Sequence, residues 1–212
     1  RDAAARMDVP LIAVLMGELA RPLADTVRAY GITSLVWVRH EGMEDYAPAA
    51  WAAAMGQLME KKQPGMILAA GTDRGNEVMA HLAARANLPM AANCAEIRPG
   101  DPFEVIRLRW GSTLLEETVL SGEPKLVTVA PLVTAPKEAP ASEEPVLEEF
   151  FPALEDADFL VRVVRREEAV AEGITLKTAP VVIGGGRGVG SPEGYSILEE
   201  LAGLLGGAVG GS

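Results

Sequence analysis

The sequence predicts an α/β protein, a three-layer Rossmann-like sheet with antiparallel additions, followed by an incomplete second α/β domain. Three observations carry that prediction. Over the first 130 residues, short apolar runs alternate with longer periodic segments, the pattern of a parallel sheet covered by helices. From Phe103 onward, extended segments follow one another with only turns between them. The tail then reads as strand, glycine turn, helix and the first residues of another strand.

The elements follow in order. Leu11–Leu15 is a buried-strand candidate, and a helix from about Leu19 to Tyr30 is closed by Gly31. Ser34–Val38 forms the second strand, Pro48–Lys62 an Ala- and Met-rich helix, and Gly65–Ala70 the third strand. Thr72 or Asp73 caps a helix that runs to about Asn87, ahead of Pro89. Phe103–Trp110, Leu114–Leu120 and Lys125–Val129 read as extended, with turns at Gly111-Ser112 and Ser121-Gly122. Residues 131–157 are expected to be an acidic, Pro-rich linker, because Glu143-Glu144 and Glu148-Glu149 repel one another and the prolines bury little. A second unit, 158–212, then opens with a strand-like Phe159–Arg165 and a helix or turn over Arg166–Gly173. In it, a strand begins at Val181. A helix from Tyr195 to Leu205 follows, with Ser191 as N-cap, Pro192 at the first helical position, and Leu198, Leu201 and Leu205 on one face.

Composition narrows the function classes. A hydrophobic content of 49% is ample for a core, and a net charge of −11 argues against nucleic acid, whose phosphates the chain could not neutralise. One cysteine, Cys94, excludes an internal disulfide and suits a reducing cytosol or organelle matrix, of which the cytoplasm is the expected location. No apolar run approaches the ~18 residues a spanning helix needs, so no membrane insertion is expected. Val9–Met16 is short, broken by Pro10, and carries no cleavage pattern. Opening on Arg1 instead of Met points to an N-terminus that is processed or not fully represented.

Little in the first 130 residues signals chemistry. His40 follows a strand, where a loop could carry function. His81 shares a polar face with Glu77 and Arg85 and reads as solvated. Two isolated histidines and one cysteine make no structural zinc site. Nothing near Cys94 would lower its pKa, so it reads as a buried small residue. Met55, Met59, Met66, Met79 and Met90 fall at core positions. The tail is different. Gly184-Gly185-Gly186-Arg187-Gly188 follows a strand and precedes a capped helix, an arrangement that offers backbone N–H groups and a guanidinium to a phosphate. It matches neither G-x-G-x-x-G nor the Walker pattern. A tight strand-to-helix turn needing positive φ is the competing explanation, and the sequence alone leaves both open. An enzyme acting on a small acid through Arg187 ranks lowest, for no general base is placed by a motif.

Gly184–Gly188 together with Gly206-Gly207-Ala208-Val209-Gly210-Gly211-Ser212 resembles the electron transfer flavoprotein alpha subunit family. That family shows Val-Val-x-Ser-Gly-Gly-Arg-Gly, a polar turn, a Leu-rich helix, then Ala-Val-Gly-Ala-Ser-Arg. Arg187 and Ser212 lie 25 positions apart, as in the family. Gly71–Glu77 followed by Leu82-Ala83-Ala84-Arg85 resembles the family's strand-to-helix junction more loosely. The departures are Gly184 for the usual serine, Gly211 for the usual alanine, and Arg109-Trp110-Gly111-Ser112 where the family has Tyr-Gly-Gly-Asn or similar.

The resemblance implies an electron carrier that is not a catalyst by itself. It would hold FAD in its C-terminal domain, form a heterodimer with a beta-type subunit, and receive electrons from flavin dehydrogenases. Arg187 would contact the FAD phosphate or adenosine portion and Ser212 the pyrophosphate region, with Gly186 and Gly188 flanking the arginine in the binding turn. The family continues past Ser212 with residues that grip the flavin; a chain that stopped there is expected not to hold FAD tightly. The rival expectation is a regulatory α/β module that binds a nucleotide or phosphate without flavin.

Overall fold

The computed structural model describes residues 1–139, 145–167, 174–176 and 178–211. Two compact units result, Arg1–Val164 and Arg165–Ser212.

Strand alternation builds the first unit. β1 (Ile12–Met16), β2 (Ser34–Val38) and β8 (Val146–Phe150) form a parallel sheet with β2 in the middle. Side chains on successive strand residues point to opposite faces. Leu35 and Trp37 therefore pack with Leu15, Ala24 and Val27, beside the short helix α2 (Ala24–Arg28). Val36 and Val38 pack with Ala54 and Leu58 of α3 (Pro48–Lys62). The second sheet has the order β3 (Met66–Ala70), β7 (Lys125–Val129), β4 (Met90–Arg98), β5 (Glu104–Arg109) and β6 (Leu114–Val119). β3, β7 and β4 run parallel, while β5 and β6 are the antiparallel additions. Ile67 and Leu126 face α3 and α4 (Asp73–Ala86), whereas Val127 and Cys94 face away, with Met66 and Met7 of α1 (Asp2–Met7) packed against them. Each sheet thus lies between helices, which gives the three layers. Thr72 caps α4, its Oγ1 accepting from the Gly75 N–H at 3.1 Å.

Several expectations differ from what the structure shows. The helix over 19–30 is a 3₁₀ turn, Glu18–Leu23, followed by the five-residue α2; Pro22 lies inside the turn and has no N–H to donate. β4 has no counterpart among the expected strands, because Met90-Ala91-Ala92-Asn93-Cys94 lacks the β-branched residues that mark strands. The segment expected to be a linker contains β8, held by its parallel ladder to β2 and by Phe150 and Leu154 against the α3 core. Glu148 and Glu149 do not repel freely there. Glu148 accepts from Lys61 at 2.7 Å and also from Lys62, and Glu149 accepts from Arg39 at 3.1 Å. Those lysines hold the Glu148 carboxyl below its ordinary pKa. Glu143-Glu144 lie outside the described residues. The strand-like Phe159–Arg165 is instead a 3₁₀ turn at Asp156–Phe159 running into irregular chain. Glu155 and Asp158 cap that turn reciprocally, and Asp158 pairs with Arg85. Most of Arg166–Gly173 lies outside the described residues.

A closed polar ring fixes the centre of the second sheet. Thr128 is fully buried; its Oγ1 donates to Asn76 Oδ1 at 2.6 Å and accepts from the Asn93 N–H at 2.9 Å. Asn76 Nδ2 donates to Asn93 Oδ1 at 3.1 Å. Asn93 sits at φ 57, where the β4–β7 register shifts between Ala91 and Cys94. Next to it, a Cβ on Gly71 would come within 2.8 Å of Asn93 Oδ1 and 2.6 Å of the Val129 carbonyl, so only glycine fits.

In the second unit, β9 (Val182–Gly185) and β10 (Ala208–Gly211) pair in parallel, bridged by α5 (Ser196–Leu204). The expected Leu198, Leu201 and Leu205 face is not the buried one. Ala202 is buried and Leu198 half-buried, while Leu201 and Leu205 are exposed. A small residue at 202 is what faces inward.

Two outcomes follow from the core. Thr128→Val keeps the shape but strands the Asn93 N–H and Asn76 Oδ1, and is expected to cost about 1–3 kcal/mol in urea unfolding; a change under about 0.5 kcal/mol would mean the ring contributes nothing. Burial raises the Cys94 thiol from 9.0 to about 11. The folded state therefore holds that proton more tightly than the unfolded one. The resulting stability is complete below pH 9.0 and is lost as pH climbs to about 11. A Cys94→Ala variant, compared over that window, should lack this loss.

Candidate functional site

Among the described residues, no cluster of three or more His, Cys, Asp or Glu side chains could hold a metal, and no helix is long and apolar enough to cross a membrane. The histidines of the first unit have structural surroundings. His40 Nδ1 accepts from the Gly42 N–H at 3.0 Å, and its ring stacks on Phe159 at 5.4 Å. Gly42 is needed for that stack, since a Cβ there would lie 2.8 Å from the Phe159 ring. His81 is exposed, whereas its helix neighbours have partners. Glu77 accepts from the Tyr46 hydroxyl at 2.6 Å, and Arg85 pairs with Asp158. Cys94 is fully buried.

The glycine turn is organised differently. The strand expected from Val181 is β9, which runs to Gly185 because its glycines pair with Gly210 and Gly211 of β10. Gly186 is extended and leads into a 3₁₀ turn at Arg187–Val189, closed by Gly190 at φ +79. The Val189 N–H returns to the Gly186 carbonyl at 3.0 Å. A second 3₁₀ turn, Pro192–Tyr195, passes directly into α5. Ser191 is its N-cap, but its side chain makes no capping bond to the backbone; its hydrogen bond, followed by that of the Glu193 backbone, holds the Glu193 carboxyl below its usual pKa. Only Gly190 in this turn needs a positive φ. The other glycines therefore call for a further explanation.

Space supplies one. At Gly184, Gly186 and Gly188 an added Cβ would meet nothing within 4 Å, so the backbone there is bare on the side that side chains would otherwise cover. Such a strip lets a ligand approach the main chain closely. Arg187 stands in the middle of it, exposed, and makes no ion pair with any described residue. A planar, permanently charged donor beside accessible backbone suits a phosphate or pyrophosphate. The structure thus brings Gly186, Arg187 and Gly188 together in one turn. Ser212 lies outside the described residues, although Gly211 before it pairs with Gly185. One residue escaped the sequence reading. Tyr195 reads only as a helix start, yet its hydroxyl donates to the Gly185 carbonyl at 3.1 Å. No spacing rule signals a contact of that kind.

Comparison with known proteins agrees with this division. Residues 2–154 match the electron transfer flavoprotein domain, and residues 175–212 match the electron transfer flavoprotein FAD-binding domain. The electron transfer flavoprotein subunit alpha of Megasphaera elsdenii is 29% identical over 206 residues, covering 94% of this chain and 61% of the relative. That of Bacillus subtilis (strain 168) is 27% identical, with 97% of this chain and 63% of the relative covered. Protein FixB of Clostridium saccharobutylicum is 26% identical, with 100% and 64% covered. The chain spans about three-fifths of the length of these curated relatives. A regulatory module unrelated to flavin is not favoured by these matches. With its first model taking in most of the sequence and its second beginning just ahead of the glycine turn, the chain belongs to the electron transfer flavoprotein family, among the alpha subunits.

Proposed function

We propose that this chain is the flavin-holding part of an electron carrier: it binds FAD at the Gly184–Gly188 turn, pairs with a beta-type subunit, and exchanges electrons with flavin dehydrogenases without catalysing a reaction of its own. The observation that carries this reading is the bare backbone around an exposed Arg187, within a segment matched to the FAD-binding domain. Bound FAD supplies the electron-accepting and electron-donating chemistry. The protein's part is placement. Arg187 donates to the pyrophosphate or adenosine end, with a bond strengthened by its charge. Gly186 and Gly188 let the ligand reach the main chain, and Ser212, carried over from the family resemblance, adds a hydroxyl to the pyrophosphate region. The first unit, with its two sheets, is the body that docks the beta-type partner. A single cysteine that forms no disulfide is compatible with the reducing cytoplasm in which we propose the protein works.

Two measurements test this. The purified full-length chain with its partner should show flavin absorption bands, and a colourless, FAD-refractory complex would end the reading. Arg187→Ala should weaken FAD binding about 10–100-fold, the worth of one hydrogen bond to a charged group, with thermal stability of the first unit unchanged; equal affinity would remove Arg187 from the site.

A further inference from the structure

The second unit contains a contact that the family motif does not account for. Tyr195 lies across the carboxyl ends of both strands of the two-stranded sheet. A Cβ on Gly185 would come within 2.6 Å of Tyr195 Cε1 and 3.0 Å of Cζ. One on Gly211 would come within 2.6 Å of the hydroxyl oxygen and 3.1 Å of Cζ. Gly185 and Gly211 are register partners, the last pair of the β9–β10 ladder. One ring therefore covers that pair, and its hydroxyl is bonded to the Gly185 carbonyl at 3.1 Å. The contrast with the neighbouring glycines is clear. Gly184, Gly186 and Gly188 face open space, whereas Tyr195 lies over both Gly185 and Gly211, joined at Gly185 by Leu198 Cδ1 at 2.8 Å from an added Cβ.

From this fit, we infer that Tyr195 is a positioning residue for the cofactor turn, and that Gly211 is glycine in this chain to admit the tyrosine hydroxyl. The inference rests on the proposed FAD site. Gly185 lies two positions before Arg187, and Gly211 one before Ser212, so the ring holds the chain immediately upstream of both proposed contacts. A clip at that point fixes the separation of the two strand ends without entering the ligand's space. Glycine at 211 is one of the departures from the family pattern. The alanine usual there would put its methyl 2.6 Å from the Tyr195 oxygen. Tyrosine at 195 and glycine at 211 thus form a matched pair: a methyl at 211 crowds the hydroxyl, and loss of the hydroxyl frees the Gly185 carbonyl. Positioning of this kind matters because small displacements of binding groups carry large costs in affinity.

A double-mutant cycle tests it on the full-length chain with its beta-type partner. FAD dissociation constants would be measured by fluorescence titration for wild type, Gly211→Ala, Tyr195→Phe and the double variant. Amide hydrogen exchange of residues 184–188 would be followed in the flavin-free proteins. Gly211→Ala should weaken FAD binding by about tenfold or more and speed exchange in the turn. Tyr195→Phe in that background removes the oxygen that meets the new methyl and should recover at least about threefold of that loss, with slower exchange. Tyr195→Phe alone, which loses only the bond to the Gly185 carbonyl, should weaken binding less than Gly211→Ala does. Unchanged affinity in Gly211→Ala, or no rescue by Tyr195→Phe, overturns the inference while leaving the FAD site intact. Should the wild type take up no FAD, the proposed function fails instead, and the exchange data alone then decide whether Tyr195 holds the turn.

Discussion

Helix α3 closes two cores at once, and the first unit depends on that. Ala52 packs in the cluster shared with α4, β3 and β7, while Ala54 and Leu58 pack against Val36 and Val38 of β2. Trp51 and Met55 touch both clusters. Ala50, Ala52 and Ala54 are completely buried. Side chains of this size let the helix backbone come close to both sheets, which longer residues would prevent. The three-stranded and the five-stranded sheet are in this way joined through one shared wall. The 3₁₀ turn at Asp156–Phe159 continues the arrangement, with Phe159 and Leu154 filling the α3 side of the first sheet. Gln57 of α3 fastens the chain just before that turn, donating to the Ala153 carbonyl at 2.6 Å and accepting from its N–H at 2.9 Å.

Much of this was legible in the sequence, and the failures have physical causes. Where apolar residues are β-branched or sit between clear stops, as in Ser34–Val38 or Lys125–Val129, the strand bounds follow from the residues themselves. α3 and α4 were equally clear, one opened by Pro48 and the other capped by Thr72. β4 stayed hidden because its order comes from a tertiary source, the Thr128–Asn93–Asn76 ring, and not from strand propensity. β8 was missed because glutamates and prolines dominate its surroundings. Its carboxylates are neutralised by Lys61, Lys62 and Arg39, all more than eighty positions away. Composition cannot report partners that distant.

The candidate site divides in the same way. A glycine-flanked arginine ahead of a helix is a local pattern, so Gly186, Arg187 and Gly188 could be read directly. What each glycine is for could not be. Gly184, Gly186 and Gly188 leave space, Gly185 and Gly211 admit a ring, and Gly190 supplies a positive φ. Three separate physical demands produce one glycine-rich stretch, and only coordinates tell them apart.

The pairing of β8 with β2 bears on how such a protein may be dissected. A truncation placed after residue 130, where composition changes, would remove β8, Phe150, Leu154 and Phe159 together. β2 would then become an open edge strand, with Val36 and Val38 losing part of their cover. An apolar, unpaired edge of that kind recruits strands from other molecules. The shortened fragment would therefore tend to aggregate, and its insolubility would describe the cut and not the domain.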